Sequence, residues 1–334
     1  MIPPADHPPI PPSKIGLLLI NLGTPDLPEP GAVRIYLKQF LSDPRVVEIP
    51  RLAWQPILRI ILATRPRKSA HAYRQVWTEE GSPLAAITRR QAKALEGAFG
   101  EGVLVDHAMR YGRPAIHERI EALKGEGCER ILLAPLYPQY CAATTATAND
   151  EAFAALRKMR WQPALRTLPP YYDHPAYIDA LRAKAEEDLA SLDFEPDTVL
   201  ASFHGMPERT LHLGDPYHCH CRKTARLLSE ALGRDLIVTF QSRFGRAKWL
   251  EPATDVTLAE LPTRGIRKVA LLAPGFSADC LETLEELNIR GRETFMEAGG
   301  THFAYLPCLN DSSAGVDMLK AILAPELEGW LPRP

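Results

Sequence analysis

A histidine and two glutamates stand out as residues whose types and positions can move protons or bind a divalent cation. His204 directly follows the apolar run 198–203, and Glu282 and Glu286 come shortly after the apolar run 268–273. Short apolar runs of this kind predict strands, and open α/β sheets place their sites just beyond the carboxyl ends of strands. Imidazole titrates at about pH 6.5, so beside a carboxylate it can accept a proton or coordinate a metal ion.

Glu282 and Glu286 also raise an electrostatic question, because they lie four residues apart in a segment of helical length, with Glu285 beside them. This spacing places like charges on one face of a helix, where they repel by about 0.2–0.5 kcal/mol when exposed. A bound cation or a basic neighbour would relieve the repulsion. The alternative interpretation is an acidic first helical turn, which the helix dipole favours.

Composition narrows the class of protein that carries these residues. The chain has 334 residues, of which 46% are hydrophobic and 24% charged, and this is enough for a large core in two domains of ordinary size. The net charge is −2 with both signs interspersed, so the sequence predicts no nucleic-acid partner. The longest apolar runs, such as 15–22, are much shorter than a membrane span.

Residues 1–13 are rich in proline and predict a disordered or polyproline II lead-in. The segment lacks the positive and apolar regions of a secretory signal, so the sequence predicts a cytoplasmic protein. In that compartment the six cysteines are expected to be thiols or metal ligands, and not disulfides.

Strand-like runs alternate with patterns of helical length along the chain, which predicts an α/β fold with parallel sheets. The predicted strands are 14–22, 103–109, 130–137, 198–203, 235–241, 268–273 and 301–306. The predicted helices are approximately 31–42, 84–99, 114–124, 145–159, 175–190, 220–232, 279–298 and 313–325. Four prolines within 160–175 interrupt the pattern and indicate a crossover between two domains, 14–165 and 166–325.

The sequence contains an internal duplication, in which three segments recur in the same order. The pairs are LLLINLGTP (17–25) with VLASFHGMP (199–207), MRYGR (109–113) with SRFGR (242–246), and LLAPLYPQYCAATTA (132–146) with LLAPGFSADCLETLE (271–285). Each pair closes a predicted strand. The two halves are therefore expected to be similar domains whose strand-end loops face a common cleft.

The duplication also serves as an internal control for function. His204 occupies the position of Leu22 in the first half, and Glu282 occupies that of Ala143. The fold itself therefore requires neither an imidazole nor a carboxylate at these two loops. A single loop histidine is usually an ordinary solvated residue, but two such replacements at loops that should converge favour a functional site.

The first half has an inserted segment at about 31–81, because Gly112 follows Gly23 by 89 positions whereas Gly245 follows Gly205 by only 40. This lip segment is amphipathic, with aliphatic residues among arginines. One interpretation is an extra helix pair that packs its apolar face on the core. The other is a lip that holds a flat apolar ligand or rests on a membrane surface.

Nine short motifs identify a family resemblance that extends from about residue 14 to 324. They are LGTP (22–25), FLSDPRVVEIP (40–50), GSPL (81–84), MRYG (109–112), PLYPQY with a following TT (135–145), SFHGMP (202–207), GDPY (214–217), FQSRFG (240–245) and CLETLEEL (280–287). In this order and spacing they resemble the ferrochelatases, which insert ferrous iron into protoporphyrin IX in the last step of haem synthesis. The resemblance implies two Rossmann-like domains, each with a four-stranded parallel sheet, and a cleft between them.

The resemblance also implies roles for individual residues. The family's histidine falls on His204 and its glutamate on Glu282, and both are expected to act in catalysis and to meet the metal. The residues implied to bind substrate are Leu22, Arg45, Arg110, Tyr111, Tyr137 and Glu286. Glu286, together with Glu282, could coordinate iron or carry protons outward along the helix face. Position 280 is a cysteine where animal members have a second histidine, so schemes that need two histidines over the metal do not transfer.

Ferrous iron and protoporphyrin IX would be substrates, and no cofactor is required. Insertion requires the ring to bend, two pyrrole protons to leave and hydrated iron to lose water, and the residues leave open which of His204 and Glu282 takes the proton. The alternatives are a chelatase for another tetrapyrrole or metal, such as a coproporphyrin ferrochelatase or a cobaltochelatase, and a two-lobed binding protein without catalysis. The expected assembly is a monomer or a homodimer.

A cysteine- and histidine-rich tract at 211–223 raises the question of a further metal group. Some ferrochelatases carry a [2Fe–2S] cluster, which needs four thiolates. Cys219 and Cys221 could supply two of them, with Cys141 or Cys308 as further candidates. The alternative interpretation is a pair of free thiols at the start of a helix.

Overall fold

Two four-stranded parallel sheets form the framework of the protein. The computed structural model describes residues 13–243, 245 and 247–331, so all but the last residue of the predicted lead-in at 1–13 lies outside the described residues. The strands of the first sheet are β1 (Lys14–Gly23), β2 (Val103–Tyr111), β3 (Cys128–Pro135) and β4 (Ala164–Thr167). Those of the second sheet are β5 (Thr198–His204), β6 (Leu236–Gln241), β7 (Lys268–Leu272) and β8 (His302–Leu306).

The two sheets have the same strand order, which is how the duplication appears in the fold. The first sheet runs β2-β1-β3-β4 and the second β6-β5-β7-β8. Gly23 and Gly205 lie where the first strand of each half ends, beside the neighbouring strand. A Cβ on Gly23 would lie 1.7 Å from the carbonyl oxygen of Tyr111, and one on Gly205 would lie 2.5 Å from that of Gln241. Close backbone contact therefore explains both glycines, and the predicted α/β fold with two parallel sheets is confirmed.

Helices cover both faces of the sheets. They are α1 (Pro30–Leu41), α2 (Arg51–Val76), α3 (Pro83–Ala94), α4 (Ile116–Gly125), α5 (Thr147–Arg157), α6 (Pro175–Ala190), α7 (Glu208–His212), α8 (Tyr217–Leu232), α9 (Thr254–Glu260), α10 (Arg292–Glu297) and α11 (Ser313–Leu327). In β1, Leu17 and Leu19 belong to a core shared with the second sheet, whereas Leu18 and Ile20 pack with α4 and α5. This alternation explains why the strand is apolar throughout.

A π-helix follows the third strand of each half. The first covers Ala142–Ala146 and the second covers Glu282–Gly291, which continues into α10. The sequence predicted ordinary helices here, because apolar periodicity does not separate i→i+5 from i→i+4 hydrogen bonding. π-Helices are rare and occur often at functional sites. The second one begins at Glu282.

The lip segment forms the helix pair α1 and α2. Trp54 is only 6% exposed, and it donates a 2.6 Å hydrogen bond from Nε1 to the carbonyl oxygen of Leu41. Leu58 and Leu62 complete this small core. The face of α2 that carries Trp54, Leu58 and Leu62 therefore packs as expected for an extra helix pair. Within the described ranges, no helix is both long and apolar enough to cross a membrane.

The junction between the halves is more interwoven than the sequence indicated. The short strand β4 was not predicted, because it has four residues in a proline-rich stretch, and the predicted boundary at residue 165 falls inside it. The carboxyl-terminal helix α11 packs against β3 of the first sheet, and Arg166 of β4 donates to the carbonyl oxygen of Glu326. The division into two domains stays a prediction, and we place its boundary after β4.

Candidate functional site

His204 is the last residue of β5, and its side chain is half-buried. Its Nδ1 lies 2.7 Å from the carbonyl oxygen of Gly205. A carbonyl oxygen can only accept a hydrogen bond, so Nδ1 carries the proton and Nε2 of the neutral ring keeps its lone pair. The hydroxyl of Tyr217 donates a 3.0 Å bond to the backbone carbonyl of His204 and fixes the strand end. His204 therefore presents Nε2 as a base or a metal ligand.

Gln241 joins His204 to the second π-helix. It is the partner of His204 in the parallel register of β5 and β6, and it is buried. Its Nε2 donates a 2.9 Å hydrogen bond to the carbonyl oxygen of Glu282, and its Oε1 accepts a 2.9 Å bond from Ser202. The Gln241 side chain therefore links β5, which ends at His204, to the π-helix that begins at Glu282.

Glu282 lies among side chains that come from the lip segment. Burial raises the pKa of the Tyr36 and Tyr73 hydroxyls well above the ordinary value, and the nearby charge of Glu282 raises both further. Burial and the same charge also raise the pKa of the Cys280 thiol. In the part of the chain that the structure describes, Glu282 forms no ion pair. The Glu282 carboxylate is therefore surrounded mainly by tyrosine and cysteine side chains and not by basic residues.

Glu285 and Glu286 differ from Glu282 because they have basic neighbours. Arg290 donates a 2.9 Å hydrogen bond from Nε to Glu285, and its Nη2 lies 3.8 Å from Glu286. Arg65 of α2 adds positive charge near Glu286. Ser242 donates to both oxygens of Glu286, at 2.7 Å from its backbone nitrogen and 2.6 Å from its hydroxyl. Basic neighbours therefore relieve the repulsion that the sequence raised.

Arg110 and Tyr111 meet at the buried carboxylate of Asp43, which lies between α1 and α2. Asp43 accepts a 2.6 Å hydrogen bond from Arg110, a 2.8 Å bond from the Tyr111 hydroxyl and a short bond from Thr147. The backbone nitrogen of Arg45 adds a bond of 2.8 Å. Burial acts to raise the pKa of the Asp43 carboxyl, but its hydrogen-bond donors and the Arg110 charge outweigh burial and lower it.

The remaining residues implied to bind the porphyrin occupy three different environments. Leu22 is half-buried at the end of β1. Arg45 forms a 2.8 Å ion pair with Asp150 on α5, and both side chains are about half exposed. Tyr137 is partly buried near Arg110, and its hydroxyl is buried without a hydrogen-bond partner among the described residues. Tyr36 lies near both Glu282 and Tyr111. It therefore connects the residues around Glu282 with those around Asp43.

The lip segment also exposes aliphatic side chains. Leu52 is 93% exposed, and Ile60 is 67% exposed on the same helix α2. In the second half of the chain, Leu213 directly after α7 is also exposed. Arg209 of α7 forms a 2.9 Å ion pair with Glu48 of the lip segment. The lip segment therefore contacts the second half beyond His204.

The cysteine- and histidine-rich tract does not fit a [2Fe–2S] cluster. Cys219 is exposed and Cys221 is buried on the same helix α8. Nowhere in residues 13–243, 245 and 247–331 do three or more His, Cys, Asp or Glu side chains come together as a metal site. His220 instead accepts a 3.2 Å hydrogen bond from the backbone nitrogen of Tyr140 and stacks on Tyr172. The tract contributes to contacts between the two halves.

Sequence reasoning missed three residues that organise the site, namely Asp43, Gln241 and Ser242. All three lie inside motifs that carry the family resemblance, FLSDPRVVEIP and FQSRFG. Their signal was a carboxylate, amide or hydroxyl side chain at the end of a predicted helix or strand or directly after it. The partners of these side chains on other elements are 39 to 104 residues away in sequence, so spacing along the chain could not reveal the contacts.

Two relatives with high sequence identity to this chain carry the same name. A protein named Ferrochelatase from Rhizobium meliloti (strain 1021) is 55% identical over 334 residues, which cover 98% of each chain. A protein of the same name from Agrobacterium fabrum (strain C58 / ATCC 33970) is 52% identical and also covers 98% of each chain. Similarity at this level over the whole length indicates a shared fold and family.

Solved structures are similar in fold at low sequence identity. SirB from Bacillus subtilis, solved with Fe³⁺, has a TM-score of 0.58 at 13% identity and covers 95% of this chain and 97% of its own. DR2241 from Deinococcus radiodurans, described as similar to chelatases, has a TM-score of 0.53 at 15% identity and covers 93% of this chain and 55% of its own. The Ferrochelatase family profile matches residues 14–327. The chain therefore belongs to the ferrochelatase family.

Proposed function

We propose that the protein inserts ferrous iron into protoporphyrin IX, and that His204 and Glu282 exchange the protons and receive the metal. Membership of the ferrochelatase family supports the reaction. The observation that carries the residue assignment is the Nδ1 contact of His204 with the carbonyl oxygen of Gly205, which in the neutral ring leaves the lone pair on Nε2. Iron and porphyrin are both substrates in this proposal.

His204 is proposed to accept pyrrole protons. A planar porphyrin holds its two N–H groups in the ring plane, and bending the ring turns them towards a base at its face. A neutral imidazole with a free Nε2 has a basicity suited to this transfer near neutral pH. The Gly205 carbonyl favours the same tautomer and stabilises the cation that forms when Nε2 is protonated.

Glu282 is proposed to meet the iron from the start of the second π-helix. Ferrous iron accepts carboxylate oxygen and imidazole nitrogen as ligands. Unlike its two neighbouring glutamates, Glu282 has no ion pair with a described residue, so its charge is available to attract a cation. Tyr36 and Tyr73 bound it on the side of the lip segment, and an apolar surrounding of this kind strengthens the attraction to a divalent ion.

The residues implied to bind the porphyrin separate into two groups in this proposal. Leu22 and Tyr137 contact the ring, since both lie half-buried at strand ends of the first sheet. Arg110 and Tyr111 are hydrogen-bonded to Asp43, so they shape the wall of the site. Arg45 remains a candidate partner for a propionate, because it is half-exposed and its carboxylate partner is exposed as well.

The exposed aliphatic residues of the lip segment are proposed to touch the porphyrin edge and a membrane surface. Leu52 and Ile60 project from a helix that also carries exposed arginines, including Arg51 and Arg59. Such a mixture suits both an apolar ring and the headgroup region of anionic lipids. A cytoplasmic location, with peripheral contact to the inner face of the membrane, follows as part of this proposal, and the assembly is proposed to be a monomer or a homodimer.

Absorption spectroscopy with purified protein tests the reaction and its substrate. The protein is incubated with Fe²⁺ or Co²⁺ under anaerobic conditions and with protoporphyrin IX or coproporphyrin, and the porphyrin bands are followed. The proposal expects protoporphyrin with Fe²⁺ to give the fastest conversion. A clear preference for coproporphyrin or for Co²⁺ would favour the alternative chelatases, and no conversion with any pair would contradict the proposed function.

A further inference from the structure

We propose that Glu286 is a positioning residue that holds the backbone at Ser242, and that it neither binds iron nor carries protons. This inference rests on the proposed function, because it concerns the contacts that hold His204 and Glu282 in position for metal insertion. It differs from the role that the sequence implied for Glu286, which was to bind substrate and, with Glu282, to coordinate iron or carry protons.

Both carboxylate oxygens of Glu286 are engaged. Oε1 accepts a 2.7 Å hydrogen bond from the backbone nitrogen of Ser242, and Oε2 accepts a 2.6 Å bond from the Ser242 hydroxyl. Arg290 lies 3.8 Å from Oε2, and Arg65 adds positive charge from α2. Hydrogen bonds to an ionised acceptor are short and strong. Iron or a proton would have to displace these contacts before it could bind.

Ser242 needs such support because its backbone conformation is unfavourable. Its φ is +64°, in the left-handed region that residues with a side chain rarely adopt. Asn310 is the other non-glycine residue with positive φ among those described, and asparagine tolerates this conformation better than serine. The two hydrogen bonds to Glu286 therefore stabilise a backbone conformation that is unfavourable for serine by itself.

The conformation of Ser242 matters because of the residue before it. Gln241 pairs with His204 across β5 and β6, and its carbonyl oxygen accepts a 2.7 Å bond from the backbone nitrogen of Gly205. Its side chain reaches the carbonyl of Glu282 at 2.9 Å. Releasing Ser242 would allow Gln241 to shift, and both proposed catalytic residues would lose a shared support.

Rescue by glycine separates positioning from chemistry. Glycine adopts positive φ without strain, so Ser242→Gly removes the need for the Glu286 contact. We expect Glu286→Ala to lower the metallation rate by at least about tenfold in the wild-type background, but by less than about threefold in the Ser242→Gly background. An equal loss in both backgrounds would show that the carboxylate acts on iron or protons. No loss in the wild-type background would also overturn the proposal.

The conservative variant and hydrogen exchange give independent readouts. Glu286→Gln keeps one acceptor for the Ser242 amide, so it should retain at least about tenfold more activity than Glu286→Ala; equal damage in both variants would contradict the proposal. Amide exchange at Ser242 should accelerate at least about tenfold in Glu286→Ala and stay unchanged in Glu293→Ala, an exposed carboxylate on α10. Unchanged exchange in Glu286→Ala would overturn the proposal.

The exchange measurement needs no substrate. It therefore decides the positioning role even if the rate in the Ser242→Gly background is too low to measure. A wild-type protein that fails to metallate protoporphyrin would contradict the proposed function and leave the exchange result standing.

Discussion

The guanidinium of Arg110 donates a 2.6 Å hydrogen bond to the carboxylate of Asp43, whose side chain is only 4% exposed. Asp43 belongs to the lip segment, whereas Arg110 belongs to the second strand of the first sheet. The contact therefore ties the inserted helices to the framework. Gln39 adds a second tie, because its Oε1 accepts a 2.8 Å bond from the backbone nitrogen of Gly112.

Asp43→Asn should destabilise the protein, because it removes the negative charge that compensates Arg110. It also replaces one carboxylate oxygen with an amide NH₂, so either the three side-chain donors to Oδ2 or the Arg45 backbone N–H donor to Oδ1 loses its acceptor. A loss of about 2 kcal/mol in the free energy of unfolding at pH 7 is expected, the scale of hydrogen bonds to a charged group. Chemical denaturation measures it. Asp150→Asn is the matched control, since it breaks the half-exposed ion pair with Arg45 and should cost under about 1 kcal/mol. Equal losses in both variants would contradict the buried network.

The stability difference should also depend on pH with a defined sign. The folded pKa of Asp43 lies below its ordinary value, so the folded state binds fewer protons there than the unfolded state. Its contribution is therefore present above the unfolded pKa of about 3.9 and is lost as the pH falls through the folded pKa. The gap between wild type and Asp43→Asn should narrow below about pH 4. A gap that stays constant or widens on acidification would show that charge is not the cause.

Leu52 and Trp54 should respond differently to substitution, although only two positions separate them. Leu52→Asp should leave the melting temperature unchanged and weaken porphyrin binding, because the side chain is 93% exposed. Trp54→Ala should cost about 3–5 kcal/mol of stability, because it empties the core between α1 and α2. Val256→Asp, at an exposed aliphatic residue of α9, controls for surface charge. A Leu52→Asp protein with unchanged porphyrin affinity, measured by fluorescence quenching, would remove Leu52 from the ligand surface.

The sequence predicted seven of the eight strands, because buried parallel strands are apolar throughout and end at glycine or proline turns. It also predicted that His204 and Glu282 would stand out, because the duplicated half lacks both. It could not predict that Trp54 faces inward while Leu52 faces outward, since helix α2 has apolar residues on several sides. The contacts of Asp43 and of Gln241 depend on tertiary packing, so they cannot be predicted from the residues adjacent to them in sequence.

His204→Ala should preserve folding and porphyrin binding and abolish metallation. Leu22 occupies the equivalent position in the first sheet, so the strand end accepts an apolar residue, and the backbone bond from Tyr217 does not need the imidazole. Circular dichroism, porphyrin fluorescence and the metallation rate test the three parts. His212→Ala, on the exposed end of α7, serves as the control. A His204→Ala protein with more than about a tenth of the wild-type rate would exclude the imidazole as the base.

Glu282→Ala should separate stability from rate in the same way at the second π-helix. Ala143 takes the equivalent place in the first half, where a π-helix also forms, so this local structure does not need a carboxylate. The expected loss of stability is under about 1 kcal/mol, the scale of a helix-dipole interaction. The metallation rate should fall by about 10²–10⁴-fold, as expected when a positioned acid–base group is removed. Glu282→Gln should be nearly as slow, because it keeps the shape and loses charge and basicity, whereas Glu293→Gln should remain active. A Glu282→Gln rate above half that of wild type, at saturating iron and porphyrin, would reduce Glu282 to a residue that only compensates the helix dipole.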